Sequence, residues 1–563
     1  MRRLIASAAC LALLTGCATA TRPPPKAEAE TPPATTAYGM FLAGQGALGD
    51  GRNQDAARYF DAARDAPGSD VAVAEQAFTA ALLAGEVQRA ATIAPTEPQA
   101  SEAVKRMGLL VRGVEALAEG KGKDSYALLS GNAVGFPHRA AAALVAPWAA
   151  AEAGDVEASL VRPEVRGDKI VEWFGAIGRG QLFERAGRFD EAETDLKAAA
   201  SGDNPSELSV LAYGAFLERR GRRLDAVALY ESAMDGTDSE ALAAAKARAA
   251  SGRAPPAAPT VRQGAAQALL APTVTMIAAK QPQTAQIYLR LILRLNPGRN
   301  DAWLMLGDLQ ADSGDVAAAR EAYGRVAAGA PEWDTAQGKL AWTYEQAGDH
   351  QTALKIATSA AADADPDARL TLADLYRANG RYQEAVDLLN GLIRDRARPD
   401  WRLLYGRAAA YERLDRWPEA EADLQAALKL RPDEPELLNY LGYSWIDRGV
   451  HLKEAQAMVE KAVSLNPRSG AIMDSLGWAY FKLGDYRRAV ERLEAAVELE
   501  AGDPDINDHL GDAYWKVGRR DEAQFQWRRV LTLNPDAKQR AAAEAKLASP
   551  LGPDLAPQKV AGK

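Results

Sequence analysis

Cysteine and histidine are nearly absent from this chain, with two of the first and four of the second in 563 residues. Cys10 and Cys17 both sit near the N-terminus, so the body of the chain has no thiol for a disulfide framework or a thiolate metal site. His138, His350, His451 and His509 stand alone, at no spacing that a metal site or catalytic triad uses. No CxxC, HExxH, phosphate-binding loop or GxSxG is present. A basic excess is missing too: the net charge of −9 argues against nucleic acid as a partner. Carboxylates abound, but at positions expected on solvated helix faces. No catalytic residue, cofactor or metal is expected, and the chain reads as a binding protein.

What is present in quantity is a repeat. Three segments, LNYLGYSWIDRGVHLKEA, MDSLGWAYFKLGDYRRAVERLEAAV and INDHLGDAYWKVGRRDEAQFQWRRV, superpose position by position between Leu437 and Pro535. Gly442, Gly477 and Gly511 align, as do Ala455, Ala489 and Ala523, at a period of 34 or 35 residues. Two amphipathic helices per period of that length are the mark of a solenoid. The pattern resembles the tetratricopeptide repeat (TPR), which implies an all-α TPR superhelical solenoid of helix-turn-helix units.

Following the marker alanine along the chain gives about fourteen units with one break in register near 240–262. A glycine five residues before it, as at Gly314 or Gly484, suits a turn that needs positive φ. Prolines 297, 331, 432, 467 and 535 stop second helices. The expected order is an N-terminal block over 37–239, degenerate at 102–165, a helix and linker over 240–262, and a C-terminal block with a capping helix over 263–548. A disordered tail is expected over 549–563. Pro147-Trp148, inside a first helix of the degenerate pair, predicts a kink or altered packing.

The N-terminus has signal-peptide proportions. Arg2 and Arg3 precede the apolar run Leu4–Leu13, which is too short to span a bilayer. Leu14-Thr15-Gly16-Cys17 then resembles the bacterial lipobox. That resemblance implies a signal peptide over 1–16 and lipidation of Cys17. Ala18, where aspartate would retain the protein at the inner membrane, implies sorting to the outer membrane. Residues 17–36, rich in Pro, Thr, Ala and Glu, are expected to form a disordered tether.

In TPR proteins the first helix of each unit lines the concave face. Projected onto the C-terminal units, that rule puts Tyr405, Asn439, Asp474 and Asp508 in one column. Trp342, Tyr443, Trp478 and Asp512 fall four residues on, and Phe481 and Trp515 three further. Positions i, i+4 and i+7 share a helix face, so these ten residues are the candidate partner-binding surface, with aromatics as hot spots and Asn and Asp as grips on a peptide backbone. Packing of Trp478 and Trp515 against neighbouring helices is the competing reading.

The strings NYLGYSW…DRG and DSLGWAYFKLGDY resemble large TPR lipoproteins of Gram-negative outer membranes. Some relatives bring a periplasmic carboxyl-terminal processing protease to substrates such as cell-wall hydrolases. The resemblance implies a periplasm-facing, lipid-anchored scaffold or adaptor whose partners are periplasmic or outer-membrane proteins. Two other readings stay open: an assembly or export factor, pilotin-like or for polysaccharide secretion, docking to an outer-membrane channel, and a peptidoglycan- or glycan-binding protein.

Overall fold

A computed structural model describes residues 36–67, 69–165, 167–201, 205–234, 239–363, 366–395 and 400–548. The expected signal peptide, Cys17, the expected tether and the 549–563 tail lie outside the described residues, apart from Thr36, which caps the first helix through its hydroxyl. Among the described residues the secondary structure is helical throughout, with thirty-one α-helices and no strand. None is long and apolar enough to cross a membrane.

The helices pair antiparallel because the crossing residues are small. A Cβ added at Gly477 would meet Leu493 at 2.5 Å, and one at Gly511 would meet Trp527 at 2.5 Å. The partner alanines Ala353, Ala420, Ala455, Ala489 and Ala523 are fully buried, as are Leu389, Leu493 and Trp527 in the grooves between helices. The turns take the left-handed conformation at Gly314, φ 88°, and Gly484, φ 82°, where a side chain would clash with its own backbone. The expected helix after the sixth pair is present over Glu240–Ala250, and the capping helix runs from Ala537 to Ala548.

Among the described residues, 36–340 and 341–548 form two compact units. The break at 240–262 is thus a break in repeat register that does not separate two units, and the reason is how the following helices pack. Numbered in chain order, α3 (Val71–Ala84), α5 (Glu102–Ala118), α7 (Arg139–Glu152) and α9 (Lys169–Arg185) are first helices of the N-terminal pairs. Helices α14 (Val261–Ala268), α15 (Leu270–Ala278) and α16 (Pro282–Leu295) pack on them, α16 against α3 and α5 and α14 and α15 against α7 and α9. The surface that would line a groove in this unit is therefore covered by the chain's own return segment.

Both ends of that segment are pinned. Gly264 allows α14 onto Trp148, whose ring a Cβ there would meet at 2.1 Å. Pro147 and Trp148 lie within a continuous α7, with Trp148 1% exposed; the altered packing expected here is this contact with α14. On α16, Tyr288, Leu289, Leu291 and Ile292 are fully buried. Arg294 forks onto Glu115 at 2.7 and 2.8 Å, and Arg290 reaches the Leu83 carbonyl at 3.3 Å. The Tyr288 hydroxyl meets Nδ1 of buried His138 at 2.7 Å.

Two measurements check this packing. Gly264→Ala overpacks the α14–Trp148 contact and should lower the stability of the N-terminal unit in urea unfolding by about 1–3 kcal/mol. Gly324→Ala, with open space around the new methyl, should be neutral or stabilising. Burial, with Arg106 adding to it, lowers the His138 pKa to about 4. The folded state thus prefers the neutral ring, so stability present above about pH 6.5 should be lost as pH falls toward 4. His138→Phe should flatten that acid limb.

Candidate functional site

In the C-terminal unit the first helices are α21 (Pro366–Ala378), α23 (Trp401–Arg413), α25 (Pro435–Arg448), α27 (Gly470–Lys482) and α29 (Pro504–Lys516). Their starts are set locally. Asp400, Ser469 and Asp503 cap α23, α27 and α29 by accepting from backbone N–H groups, and proline at the first position suits α25 and α29. Helices α25, α27 and α29 touch one another in succession, so their inward faces join as one wall.

The centre of that wall is a stack of rings. Trp478 lies between Phe481, with centroids 4.6 Å apart and planes 6° apart, and His509, at 4.0 Å and 14°. Nδ1 of His509 lies 2.9 and 3.0 Å from the Asp474 carboxylate oxygens, one repeat earlier. Burial opposes a charge on this imidazole, but Asp474, and behind it Asp508 and Asp505, raise its pKa to about 9. Lys482 sits over the Trp478 ring at 5.2 Å. Trp478 is only 9% exposed, and its Nε1 has no partner.

A second cluster closes the wall at the capping helix α31 (Ala537–Ala548). Lys546 donates to Asp508 at 2.6 Å and pairs with Asp512 at 2.7 Å, while Trp527 Nε1 donates to Asp512 at 3.1 Å. Burial pushes the Asp512 carboxyl up, to about 6, with Lys546 pulling it back and Asp508 adding to the rise. The other oxygen of Asp508, Oδ1, is buried without a partner. Trp515 leans on Trp527 at 5.5 Å and carries Arg520 over its ring at 3.6 Å.

The remaining candidates stand on α25 and on first helices before it. Tyr405 is half-buried between Trp401 and Tyr440. Asn439 is half-buried, and its Oδ1 is enclosed without a partner. Tyr443 is half-buried; burial, then Asp474, Asp447, Asp505 and Glu412, raise its phenol pKa. Trp342 is half-buried against the cluster of Ala341, Ala353, Ala357, Leu372 and Leu375.

The structure thus brings Asp474, Trp478 and Phe481 into one assembly and Asp508 and Asp512 into another. Tyr405, Asn439 and Tyr443 present groups beside them. Two members went unassigned in the sequence reading. His509 lies 35 residues after Asp474, one repeat on and one position later, whereas Tyr440, at the equivalent position two repeats earlier, donates to Glu412, 28 residues before it, at 2.5 Å. Lys546 carried no signal, since its role depends on where the capping helix lands. Among the other histidines, His350 meets Glu345 at 2.8 Å and His451, at φ 50°, packs on Trp445. Among the described residues no group of His, Cys, Asp and Glu is placed to hold a metal ion.

Tetratricopeptide-repeat family models match residues 277–332, 304–369, 344–408, 405–470, 477–518 and 504–537. No curated protein sequence matches the chain. Among solved structures, the chain is similar to one from the APC/C hetero-tetramer Cut9–Hcn1, with 16% identity, coverage of 92% of this chain and 97% of that one, and a TM-score of 0.42. TTC0263, a thermophilic TPR protein of Thermus thermophilus, shares 24% identity over 32% of this chain and 98% of its own, with a TM-score of 0.29. MamA of AMB-1 shares 22% identity over 30% and 96%, with a TM-score of 0.26.

The His509–Asp474 contact makes a pH prediction of opposite sign to that of His138. A folded-state pKa raised to about 9 contributes stability that is complete below about pH 6.5 and is lost as pH rises through 9. The C-terminal unit should therefore weaken between those values, by on the order of 2–3 kcal/mol. His509→Gln should flatten the slope, and an imidazole titrating near 6.5 by NMR would refute the assignment.

Proposed function

We propose that this tetratricopeptide-repeat protein is a lipid-anchored scaffold of the Gram-negative periplasm that captures an extended segment of a partner protein on the inner wall of α25, α27 and α29. In its sharpest form it is an adaptor, holding a substrate such as a cell-wall hydrolase for a carboxyl-terminal processing protease. The observation that carries the reading is the set of unmet polar atoms on this wall. Asn439 Oδ1, Asp508 Oδ1 and Trp478 Nε1 are enclosed without protein partners, beside the partly buried rings of Tyr405, Tyr443 and Phe481.

A buried polar group left unpaired costs about 1–3 kcal/mol. An extended peptide lays its side chains against the rings, and rotation of Asn439, Asp508 and Trp478 on binding would open the two acceptors and one donor to its backbone N–H and C=O groups. Aromatics flanked by such groups are the usual composition of binding hot spots. The N-terminal unit offers no equivalent surface on α3, α5, α7 and α9, since α14–α16 cover it. The anchor rests on the lipobox, Leu14-Thr15-Gly16-Cys17.

A photo-crosslinking residue in place of Tyr443, in the full-length protein in cells, should trap a periplasmic protease or cell-wall enzyme. The same residue at exposed Arg487, on a second helix, should not. Recovery of a secretin or polymer-export component instead would favour the assembly-factor reading. Crosslinks to no protein would overturn capture on this wall. Cys17→Ser should move the protein from the outer-membrane fraction to the soluble periplasm.

A further inference from the structure

We propose that a turn edge of the N-terminal unit, at the ends of α9, α11 and α13, is a membrane-facing surface that rests on an anionic phospholipid leaflet. The lipid-anchored reading supplies its setting, since the tether enters this same unit at Thr36. Helices α10 (Phe189–Ala200), α11 (Glu207–Arg219), α12 (Arg223–Met234) and α13 (Glu240–Ala250) follow α9. Gly187, Gly221 and Gly252 close α9, α11 and α13 with the same left-handed turn, at φ 75°, 77° and 71°. The three turns touch. Arg219 forks onto Glu184 with both bonds at 2.7 Å and also donates to the Pro256 carbonyl at 3.0 Å. The Arg220 guanidinium lies 3.8 Å from the centre of the Phe189 ring, one turn back.

The first ground is positive charge that the protein does not balance. Carboxylates along the edge are already taken: Glu184 by Arg219, Glu191 by Arg188, Glu193 and Asp225 by Arg222, and Glu218 by Arg248. Arg185, Arg220, Arg223 and Arg253 are exposed and, among the described residues, meet no carboxylate. Against these four stands Asp190, in the first turn of α10. The net charge of −9 conceals this local excess. Salt at about 0.1 M screens charges more than about 10 Å apart, so a surface resting on the edge meets the excess and not the total. Helix ends explain part of the set, because a cation suits the C-termini where Arg185 and Arg220 stand. Arg223 is different. It opens α12, where the dipole opposes a cation, and Asp225, the acid of that turn, goes to Arg222.

The second ground is independent of charge. Leu224, next to Arg223, is 85% exposed, and Phe189 is exposed on the turn before it. The core does not use Leu224, since the groove of this pair is filled by Tyr230, fully buried. In water such a tip has nothing to pack on. At a bilayer surface it enters the boundary of the hydrocarbon, while the flanking guanidiniums reach lipid phosphates and hold them through paired hydrogen bonds. A soluble polyanion would meet the arginines and leave Leu224 in water; a bilayer takes both without a shaped pocket. Four arginines and one leucine bind such a surface weakly and reversibly. The edge therefore sets which side of this unit faces the leaflet, and the anchor keeps the protein there.

The test is vesicle flotation with the mature chain, residues 18–563, prepared without an acyl group. Vesicles of phosphatidylcholine with about a third phosphatidylglycerol, at about 0.1 M salt, should bind it about tenfold or more tighter than phosphatidylcholine alone, and about 0.5 M salt should release it. Arg220→Gln, Arg223→Gln and Leu224→Ser, all at exposed positions, should each weaken binding about fivefold with helicity unchanged, whereas Arg223→Lys should keep most of it. Arg487→Gln, exposed on the other unit, is the control and should change nothing. Equal binding to both vesicle types, binding to neither, or binding that ignores the Arg223→Gln and Leu224→Ser substitutions overturns the inference. So does equal capture by dextran sulfate with no effect of Leu224→Ser, which would make the edge a site for a soluble polyanion. The vesicle result does not depend on Cys17. A chain that binds as described but carries no acyl group in cells keeps this surface and loses the anchored reading; an acylated chain that ignores the vesicles does the reverse.

Discussion

The close crossing of two helices within each repeat is the contact on which the rest of the molecule depends. At Gly477 and Gly511 the space for a methyl group is already taken by Leu493 and Trp527, and the alanines on the second helices are fully buried. Removing side chains at the crossing lets one large residue per pair fill the groove, so each pair is stiff and stacks on the next. A wall built from consecutive first helices inherits that stiffness. Its rings and carboxylates are held in place by the fold, which would reduce the ordering cost of the proposed capture.

The same rule, applied twice, separates the two units by role. In the N-terminal unit the first-helix surface is covered by α14–α16, and the crossing of Gly264 with Trp148 is as close as any within a repeat. Tyr288, Leu289, Leu291 and Ile292 on the return segment are fully buried, and Arg294 has its partner in Glu115. That surface has become core. In the C-terminal unit, the first helices α25, α27 and α29 keep partly buried rings and unmet polar atoms.

Polar residues on the C-terminal wall divide the same way. Some are staples between repeats: His509 to Asp474, Tyr440 to Glu412, Lys546 to Asp508 and Asp512. They hold adjacent helices in register at a cost in desolvation that good geometry offsets. Others are left over. Trp478 belongs to both groups, packed on both faces by Phe481 and His509 while its N–H stays unpaired. Of the two readings weighed for Trp478, packing accounts for the ring, and the enclosed N–H is the one group that packing leaves unmet.

The amino-acid sequence by itself determined the repeat, the helix pairing, the positive-φ turns and the face on which Tyr405, Asn439, Tyr443, Trp478 and Phe481 lie. These depend on neighbours within one period, and local spacing encodes them. Only the tertiary structure decided that α16 lies on α3 and α5, that the compact units divide at 340, and that His509 and Lys546 take up the carboxylates of Asp474, Asp508 and Asp512. Those contacts join residues one repeat or many repeats apart, and their distances are set by how stacked helices curve and where the chain turns back. A periodic pattern, identical from unit to unit, carries no information about that return.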